Sequence, residues 1–122
     1  KISLLLDTDI FIDYFNTGRF HALFDSSRFT IYYSAITKKE LLTKPGLRDN
    51  ERTSILAELA RCRLIALSDS ITTRYSALRR QHPSLEKGDA LIAATALVKH
   101  LPLMTRNKRH FKMVPGLTLF GE

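Results

Sequence analysis

Short apolar runs alternate with helical patterns along the chain, and this alternation constrains the fold more than any other feature. The first run, residues 2–6, is nearly continuously apolar, as expected for a parallel strand buried on both faces. Four more runs are typical of strands: residues 29–34, 64–67, 101–105 and 117–120. The order predicts right-handed crossovers and therefore a three-layer α/β/α fold around a parallel sheet of about five strands.

Helical patterns fill the intervals between these runs. The predicted helices cover residues 10–15, 19–26, 38–43, 51–61, a segment that begins with Ser70 as its N-cap, and 84–100. The last of them is apolar nearly all round its middle, which predicts a buried helix. Because the chain contains no linker, repeat or low-complexity segment, residues 1–122 are predicted to form one domain.

The charge balance is strongly basic. Nineteen Lys and Arg residues against twelve Asp and Glu give a net charge of +7, which would attract an anion such as nucleic acid. The single cysteine, Cys62, excludes an internal disulfide and a multi-cysteine zinc site, and it is typical of a reducing cytoplasm. The four histidines show no paired ligand spacing, which disfavours a zinc enzyme.

The sequence predicts neither a membrane span nor an export signal. The longest apolar stretch, residues 90–98, is too short to cross a bilayer. The apolar start of the chain meets an acid at Asp7, which leaves no core for a signal peptide. We therefore expect a soluble cytoplasmic protein. Because the chain starts at Lys1 instead of methionine, we also expect that a first residue is missing.

Three acids from separate segments lie at the ends of predicted elements: Asp7 after the first strand, Glu40 after the second, and Asp89 at the start of the buried helix. Ligands of open α/β sheets bind beyond the carboxyl ends of the strands. Three neighbouring carboxylates would repel one another without a cation, and oxygen ligands favour Mg²⁺ or Mn²⁺. The sequence therefore predicts a site for one of these metals.

Helix capping is the alternative role for each acid. We assign Asp9 mainly to capping the helix that begins at residue 10, and Asp7 mainly to function. The segment TKKE at 37–40 spells a capping box, so the evidence for Glu40 as a ligand is circumstantial. Glu86 is assigned to the helix dipole, whereas Asp89 is assigned a functional role because its neighbours enter the core.

A polar and basic segment follows the fourth strand-like run. Thr105 and Asn107 supply small polar side chains, and four cations lie among the same eight residues: Arg106, Lys108, Arg109 and Lys112. A run of charge is usually a solvated surface. Here it adjoins the predicted metal site, so a phosphate-binding rim is equally expected.

Taken together, these segments resemble a known family. The motifs are LLDTD at 5–9, SAIT at 34–37 with ELL at 40–42, DALIAATA at 89–96, and TRN at 105–107 with HF at 110–111. In this order and spacing they resemble the PIN-domain ribonucleases, and most closely the VapC-type toxins of prokaryotic type II toxin–antitoxin pairs. The resemblance extends from residue 4 to about residue 119. Each motif alone is weak, but four in order are specific.

The resemblance implies a Mg²⁺- or Mn²⁺-dependent endoribonuclease. The acidic quartet of the family corresponds to Asp7, Glu40 and Asp89 in this chain, and His110 stands where the fourth acid is expected. An imidazole binds Mn²⁺ but is a poor ligand for Mg²⁺. His110 is therefore a candidate metal ligand that makes a second metal position doubtful.

The resemblance also implies roles for the last basic segment and for partners. Thr105 and Asn107 match polar residues that line the site of the family, where they would position water or phosphate. Arg106, Lys108, Arg109 and Lys112 would attract the RNA backbone. Cleavage would leave a 5′-phosphate and a 3′-hydroxyl. The family further implies a small antitoxin that occludes the site and commonly a homodimer.

Three other functions stay open on the sequence alone. A PIN-like domain that binds RNA or a partner with weak or no catalysis is favoured by His110 in place of an acid. A structure-specific nuclease for DNA would use the same acids but is disfavoured by the small size of the chain. The basic surface would also suit an acidic antitoxin segment alone. Four aromatic residues are expected mainly in the core: Phe20, Tyr32, Tyr33 and Phe111.

Overall fold

A single parallel sheet organises the protein, for which a computed structural model describes residues 1–121. Its strands are β1 (Ile2–Leu6), β2 (Phe29–Ser34), β3 (Arg63–Ile65) and β4 (Leu103–Met104), arranged in the order β3-β2-β1-β4. Every pairing is parallel, and Leu5 of β1 lies opposite both Tyr32 of β2 and Leu103 of β4. The predicted parallel α/β architecture is confirmed.

Helices cover both faces of the sheet. They are α1 (Thr8–Thr17), α2 (His21–Asp25), α3 (Ala35–Leu42), α4 (Asp49–Ala60), α5 (Asp69–Gln81), α6 (Lys87–Lys99) and α7 (Lys108–Phe111). The central strand β1 separates two apolar cores: Leu5 packs with α5 and α6, whereas Leu4 and Leu6 pack with α1 to α4. Because all three leucines are fully buried, the backbone that follows them is held firmly where β1 ends.

The predicted count of about five strands is wrong by one for residues 1–121. The segment predicted as the fifth strand makes a single parallel bridge, between Leu119 and Leu103. It is held by hydrogen bonds from the Leu103 amide to the Thr118 carbonyl and from the Phe120 amide to the Leu103 carbonyl, both 2.8 Å. Because β4 is only two residues long, it offers too little backbone to pair a full strand beside it.

Several helix boundaries differ from the predicted ones. The N-cap of α5 is Ser68, whose hydroxyl accepts a hydrogen bond from the Ile71 amide at 3.2 Å, so the prediction of Ser70 is wrong. The buried helix α6 begins at Lys87, three residues later than predicted, and its middle is buried as expected. No helix of residues 1–121 is long and apolar enough to cross a membrane.

The four aromatic residues expected in the core divide into two groups. Tyr33 and Phe111 are buried, whereas Phe20 and Tyr32 are half-buried and pack against the two cores from their edges. The expectation holds fully for the first pair. Phe20 keeps part of its ring accessible from outside.

Candidate active site

Asp7 lies at the centre of the candidate site, directly after β1. The end of β4 lies beside it, because the Asp7 amide donates to the Met104 carbonyl at 2.9 Å. From that neighbouring strand end the Thr105 hydroxyl donates to Oδ2 of Asp7 at 2.7 Å. The amide of Asn107 in turn donates to the Thr105 hydroxyl at 3.0 Å. Parallel strands thus place the predicted residues Asp7 and Thr105 in direct contact.

The Asp7 carboxyl is only 4% exposed, and its surroundings disfavour the charged form. Burial is the largest cause of a pKa raised from 3.8 to about 7, and the nearby charges of Asp9 and Asp89 contribute in the same direction. The hydrogen bonds from Thr105 and from the Thr8 amide act in the opposite direction. A buried carboxyl at such a strand end suits chemistry or cation binding better than a purely structural role.

Asp7 also caps α1, which corrects the assignment of that role to Asp9. Oδ1 of Asp7 accepts from the Thr8 amide at 2.8 Å. Asp9 lies inside the first turn, where its Oδ2 accepts from the Arg106 amide at 3.1 Å. Its Oδ1 is buried and has no hydrogen-bond partner among residues 1–121. Burial raises the pKa of Asp9 as well, so this carboxylate adds to the excess of acid around Asp7.

Glu40 does not form the predicted capping box with Thr37. The N-cap of α3 is Ser34, whose hydroxyl accepts from the Thr37 amide at 3.3 Å. Glu40 lies one turn further on, and its Oε1 accepts from the Thr8 hydroxyl at 2.8 Å. The Thr8 hydroxyl also lies 2.9 Å from that of Thr37, which is fully buried. Glu40 is therefore directed toward the site.

Thr8 is a residue whose role the sequence analysis missed. Its hydroxyl connects α1 to Glu40, and its amide binds Asp7, so it holds two of the three acids in a fixed relation. The available signal was its place directly after Asp7, where a short polar side chain faces the same sheet edge.

Asp89 lies in the first turn of α6, where the helix dipole favours an anion. Its Oδ2 lies 3.4 Å from Nδ1 of His110, which α7 provides. Burial raises the pKa of Asp89, and His110 partly offsets that effect. A Cβ added to Gly88 would lie 3.6 Å from Oε2 of Glu40, so Glu40 reaches α6 next to Asp89.

The chemistry of these side chains fits a hard divalent cation. The donors are carboxylate oxygens, two of the three acids have raised pKa values, and Oδ1 of Asp9 is buried without a partner. As they stand, no three His, Cys, Asp or Glu side chains among residues 1–121 form a group that could hold one ion. Protein-bound Mg²⁺ usually keeps several of its waters and takes only one or two carboxylates from the protein.

The predicted basic residues are distributed around this edge. Arg106 directs its guanidinium to Asp13, with Nη1 2.9 Å from Oδ1, away from the central acids. Lys108 lies 3.4 Å from the Gly121 carbonyl. Arg109 and Lys112 are exposed on or beside α7. The backbone amide of Asn107 donates to the Thr105 hydroxyl, and the residue is exposed.

Comparisons with known proteins agree with this architecture. The family described as PIN domain matches residues 4–117. The chain is 28% identical to Ribonuclease VapC1 of Methanocaldococcus jannaschii over 98% of its own length and 88% of that protein. Among solved structures it resembles VapBC2 from Rickettsia felis bound to a promoter DNA fragment, with a TM-score of 0.82, 25% identity and 97% of each chain covered.

A second structure, a toxin–antitoxin complex from Klebsiella pneumoniae, contains a chain with 32% identity and a TM-score of 0.73. The match covers 94% of the present chain and 95% of that one. The family match spans nearly the whole sequence, and it includes the ends of β1 and β4 and the helices α3 and α6, which carry the residues of the acidic site. The chain belongs to the PIN-domain family and is of the VapC type.

Proposed function

We propose that the protein is a metal-dependent endoribonuclease and the toxin of a toxin–antitoxin pair. The observation that carries the proposal is the convergence of Asp7, Glu40 and Asp89 from three segments at one sheet edge, with raised pKa values at Asp7 and Asp89. Relatives named ribonucleases support the activity, and a similar chain in a toxin–antitoxin complex supports the biological role.

The residues proposed to hold Mg²⁺ or Mn²⁺ are Asp7, Glu40 and Asp89, with His110 as a further candidate. When bound, such an ion supplies positive charge that lowers the pKa of water and offsets the charge of the phosphate. It would also relieve the repulsion that raises the pKa of Asp7.

The chain itself positions the reacting groups in this proposal. Thr105 and Thr8 each donate to one oxygen of Asp7, and Thr8 also donates to Glu40. These three hydrogen bonds fix Asp7 and Glu40 before substrate arrives. A water oxygen bonds to phosphorus while the bond to the 3′ oxygen breaks. That oxygen takes up the proton that the attacking water releases, and the products are a 3′-hydroxyl and a 5′-phosphate.

Two exposed cations, Arg109 in α7 and Lys112 directly after it, are proposed to attract the RNA backbone to this edge. Arg106 is proposed to contribute through the local potential, because Asp13 already binds its guanidinium. The proposed partners are a small antitoxin that covers the acidic edge and a second copy of this chain.

Cleavage assays on acid-to-amide variants test the proposal. With Mg²⁺ or Mn²⁺ and a structured RNA pool, Asp7→Asn, Glu40→Gln and Asp89→Asn should each lose most of the cleavage rate. The matched control is Asp69→Asn, which changes an exposed acid in the first turn of α5. Undiminished metal-dependent cleavage by Asp7→Asn would refute the assignment.

One observation favours a second candidate function, a domain that binds RNA with little or no catalysis. His110 stands beside Asp89 at the position where the family resemblance places a fourth acid. The same assay separates the two functions. Salt-sensitive RNA binding, with no cleavage of the RNA pool in either metal, would favour the binding domain.

A further inference from the structure

A pocket adjoins Thr105, the residue whose hydroxyl binds Asp7. It has a volume of about 460 Å³, within the range of small-molecule sites. Six of its lining residues carry the argument below: Arg19, Phe20, Thr105, Arg106, Lys108 and Phe120. We refer to it as the Phe20 pocket. Because Thr105 lines the pocket and also binds Asp7, the pocket adjoins the proposed cleavage site.

Phe20 adopts a backbone conformation that is unusual for a phenylalanine. Its φ of 67° and ψ of 13° lie in the left-handed region, which L residues with bulky side chains rarely occupy. It is also the N-cap of α2 and makes no side-chain cap, where Ser, Asp or Asn is usual. Local backbone preferences therefore disfavour Phe20, whose ring packs at the edge of the core that α1 to α4 form.

The guanidinium of Arg19 lies over the ring of Phe20. Cζ of Arg19 lies 4.7 Å from the ring centroid, and the Arg19 side chain is 58% exposed. A second phenyl ring, that of Phe120, lines the same pocket and is fixed by an edge contact with Phe29 at 6.1 Å. Aromatic rings and guanidinium planes are the surfaces on which unpaired nucleobases stack.

Among residues 1–121, the charged side chains that line the Phe20 pocket are all positive. They belong to Arg19, Arg106 and Lys108. Asp13 lies behind the two arginines, 3.5 Å from Nη1 of Arg19 and 2.9 Å from Nη1 of Arg106, and it offsets one of the three charges. Nζ of Lys108 donates to the Gly121 carbonyl at 3.4 Å. The pocket therefore keeps a positive surplus for an anionic ligand.

We propose that the Phe20 pocket binds one unpaired nucleotide of the RNA next to the phosphate that is cleaved. The base stacks on the Arg19–Phe20 pair, and the phosphate of that nucleotide pairs with Lys108. This inference rests on the proposed function.

Binding assays in the presence of a chelator test the pocket separately from cleavage. The probe is a fluorescein-labelled RNA of eight randomised nucleotides, kept intact by EDTA and checked on a denaturing gel. Phe20→Leu should weaken binding by about 5- to 100-fold, because stacking requires a flat ring. Phe20→Tyr should bind as the unchanged protein does. Phe15→Leu is the control, since Phe15 is a half-buried ring outside this pocket.

The salt dependence of the same binding tests Lys108. Each phosphate contact to single-stranded nucleic acid contributes about 0.7 to the slope of log affinity against log salt. Lys108→Gln should lower the slope by about that amount. The control is Lys99→Gln, which changes an exposed lysine ten residues along α6 from Asp89, about 15 Å of helix axis away.

Two results would overturn the proposal. One is Phe20→Leu binding as the unchanged protein does, or losing no more affinity than Phe15→Leu. The other is an equal change of slope in Lys108→Gln and Lys99→Gln. If Phe20→Leu fails to fold, the salt slopes decide. If the unchanged protein cleaves RNA and Phe20→Leu binds RNA as tightly as it does, the pocket proposal is refuted and the proposed activity is not. If the unchanged protein binds RNA through the pocket but does not cleave it, the proposed activity is refuted and the pocket proposal is not.

Discussion

Asp7→Asn is expected to stabilise the folded protein at neutral pH when no divalent cation is present. In the folded chain, burial and the charge of Asp9 raise the pKa of Asp7 from 3.8 to about 7. The unfolded chain exposes the same carboxyl to water, where its pKa is ordinary. The charged form is therefore less favourable in the folded state, and asparagine removes that charge.

The sign and the pH window follow from proton linkage. Below about pH 4 the carboxyl is protonated in both states and does not affect stability. Between about pH 4 and about pH 7 the unfolded state ionises first, so the free energy of unfolding falls as pH rises. Above about pH 7 both states are ionised and the deficit is constant. A pKa difference of about 3 corresponds to about 4 kcal/mol.

Part of this gain is lost to a hydrogen bond. Asparagine has one accepting oxygen, which the Thr8 amide occupies, so its amide group faces the Thr105 hydroxyl that donates to Asp7. Reorienting that hydroxyl costs about 1 kcal/mol. At about pH 8 we expect the variant to be more stable than the unchanged protein by about 3 kcal/mol. Near pH 4 we expect it to be equally stable or slightly less stable.

Urea unfolding in EDTA at several pH values between these limits measures the difference. Asp69→Asn serves as the control because Asp69 is exposed. An Asp7→Asn variant that is less stable at about pH 8, or whose stability difference from the unchanged protein does not grow with pH, would refute the reasoning. In that case the hydrogen bonds to Asp7 would outweigh its burial.

Three further predictions concern the same site. Thr8→Val removes the hydroxyl that binds Glu40 and should lower the free energy of unfolding by about 1–2 kcal/mol, measured with urea. His110→Ala should raise the pKa of Asp89, because His110 lowers it, as carboxyl carbon NMR would show. Millimolar Mn²⁺ should raise the melting temperature of the unchanged protein but not of Asp7→Asn, as thermal unfolding would show.

Each of these predictions has a contrary outcome. Thr8→Val with unchanged stability would mean that the bond to Glu40 makes no net contribution. An unchanged or lowered pKa of Asp89 in His110→Ala would mean that the two side chains do not interact in solution. Equal stabilisation of both proteins by Mn²⁺ would place the cation away from Asp7.

The sequence was sufficient to place Asp7, because its location depends on a local pattern. An apolar run long enough for a strand, with an acid directly after it, defines a strand end whatever the rest of the chain does. The parallel order then brings other strand ends to the same edge, which is how Thr105 meets Asp7 across 98 positions of sequence.

The role of Glu40 could not be settled from the sequence for the opposite reason. The capping box predicted at Thr37 depends on where α3 begins, and that depends on where β2 ends. Pairing with Ile65 of β3 carries β2 to Ser34, so Ser34 becomes the N-cap and Thr37 becomes a buried residue of the first turn. A tertiary contact thus decided between two sites that have equally good local cap chemistry.

The two cap assignments at α1 were decided in the same way. Both Asp7 and Asp9 have acceptable cap chemistry, but the last hydrogen bond of β1 fixes the backbone of Asp7 in the extended conformation that an N-cap needs. Asp9 then points toward β4, where the Arg106 amide meets it. The local sequence pattern does not predict this hydrogen bond between distant segments. It therefore does not predict that one oxygen of the Asp9 carboxylate lacks a partner within residues 1–121.

The charge of the whole chain and the charge of the site have opposite signs, and this difference links metal binding to RNA binding. The net charge of +7 attracts a polyanion at long range. The phosphate must then approach Asp7, Asp9 and Asp89, at a site where burial and, after it, the charges of Asp9 and Asp89 already raise the pKa of Asp7. In the proposed function, a cation that neutralises these acids favours RNA at the same edge. By linkage, bound RNA then favours the cation by the same factor.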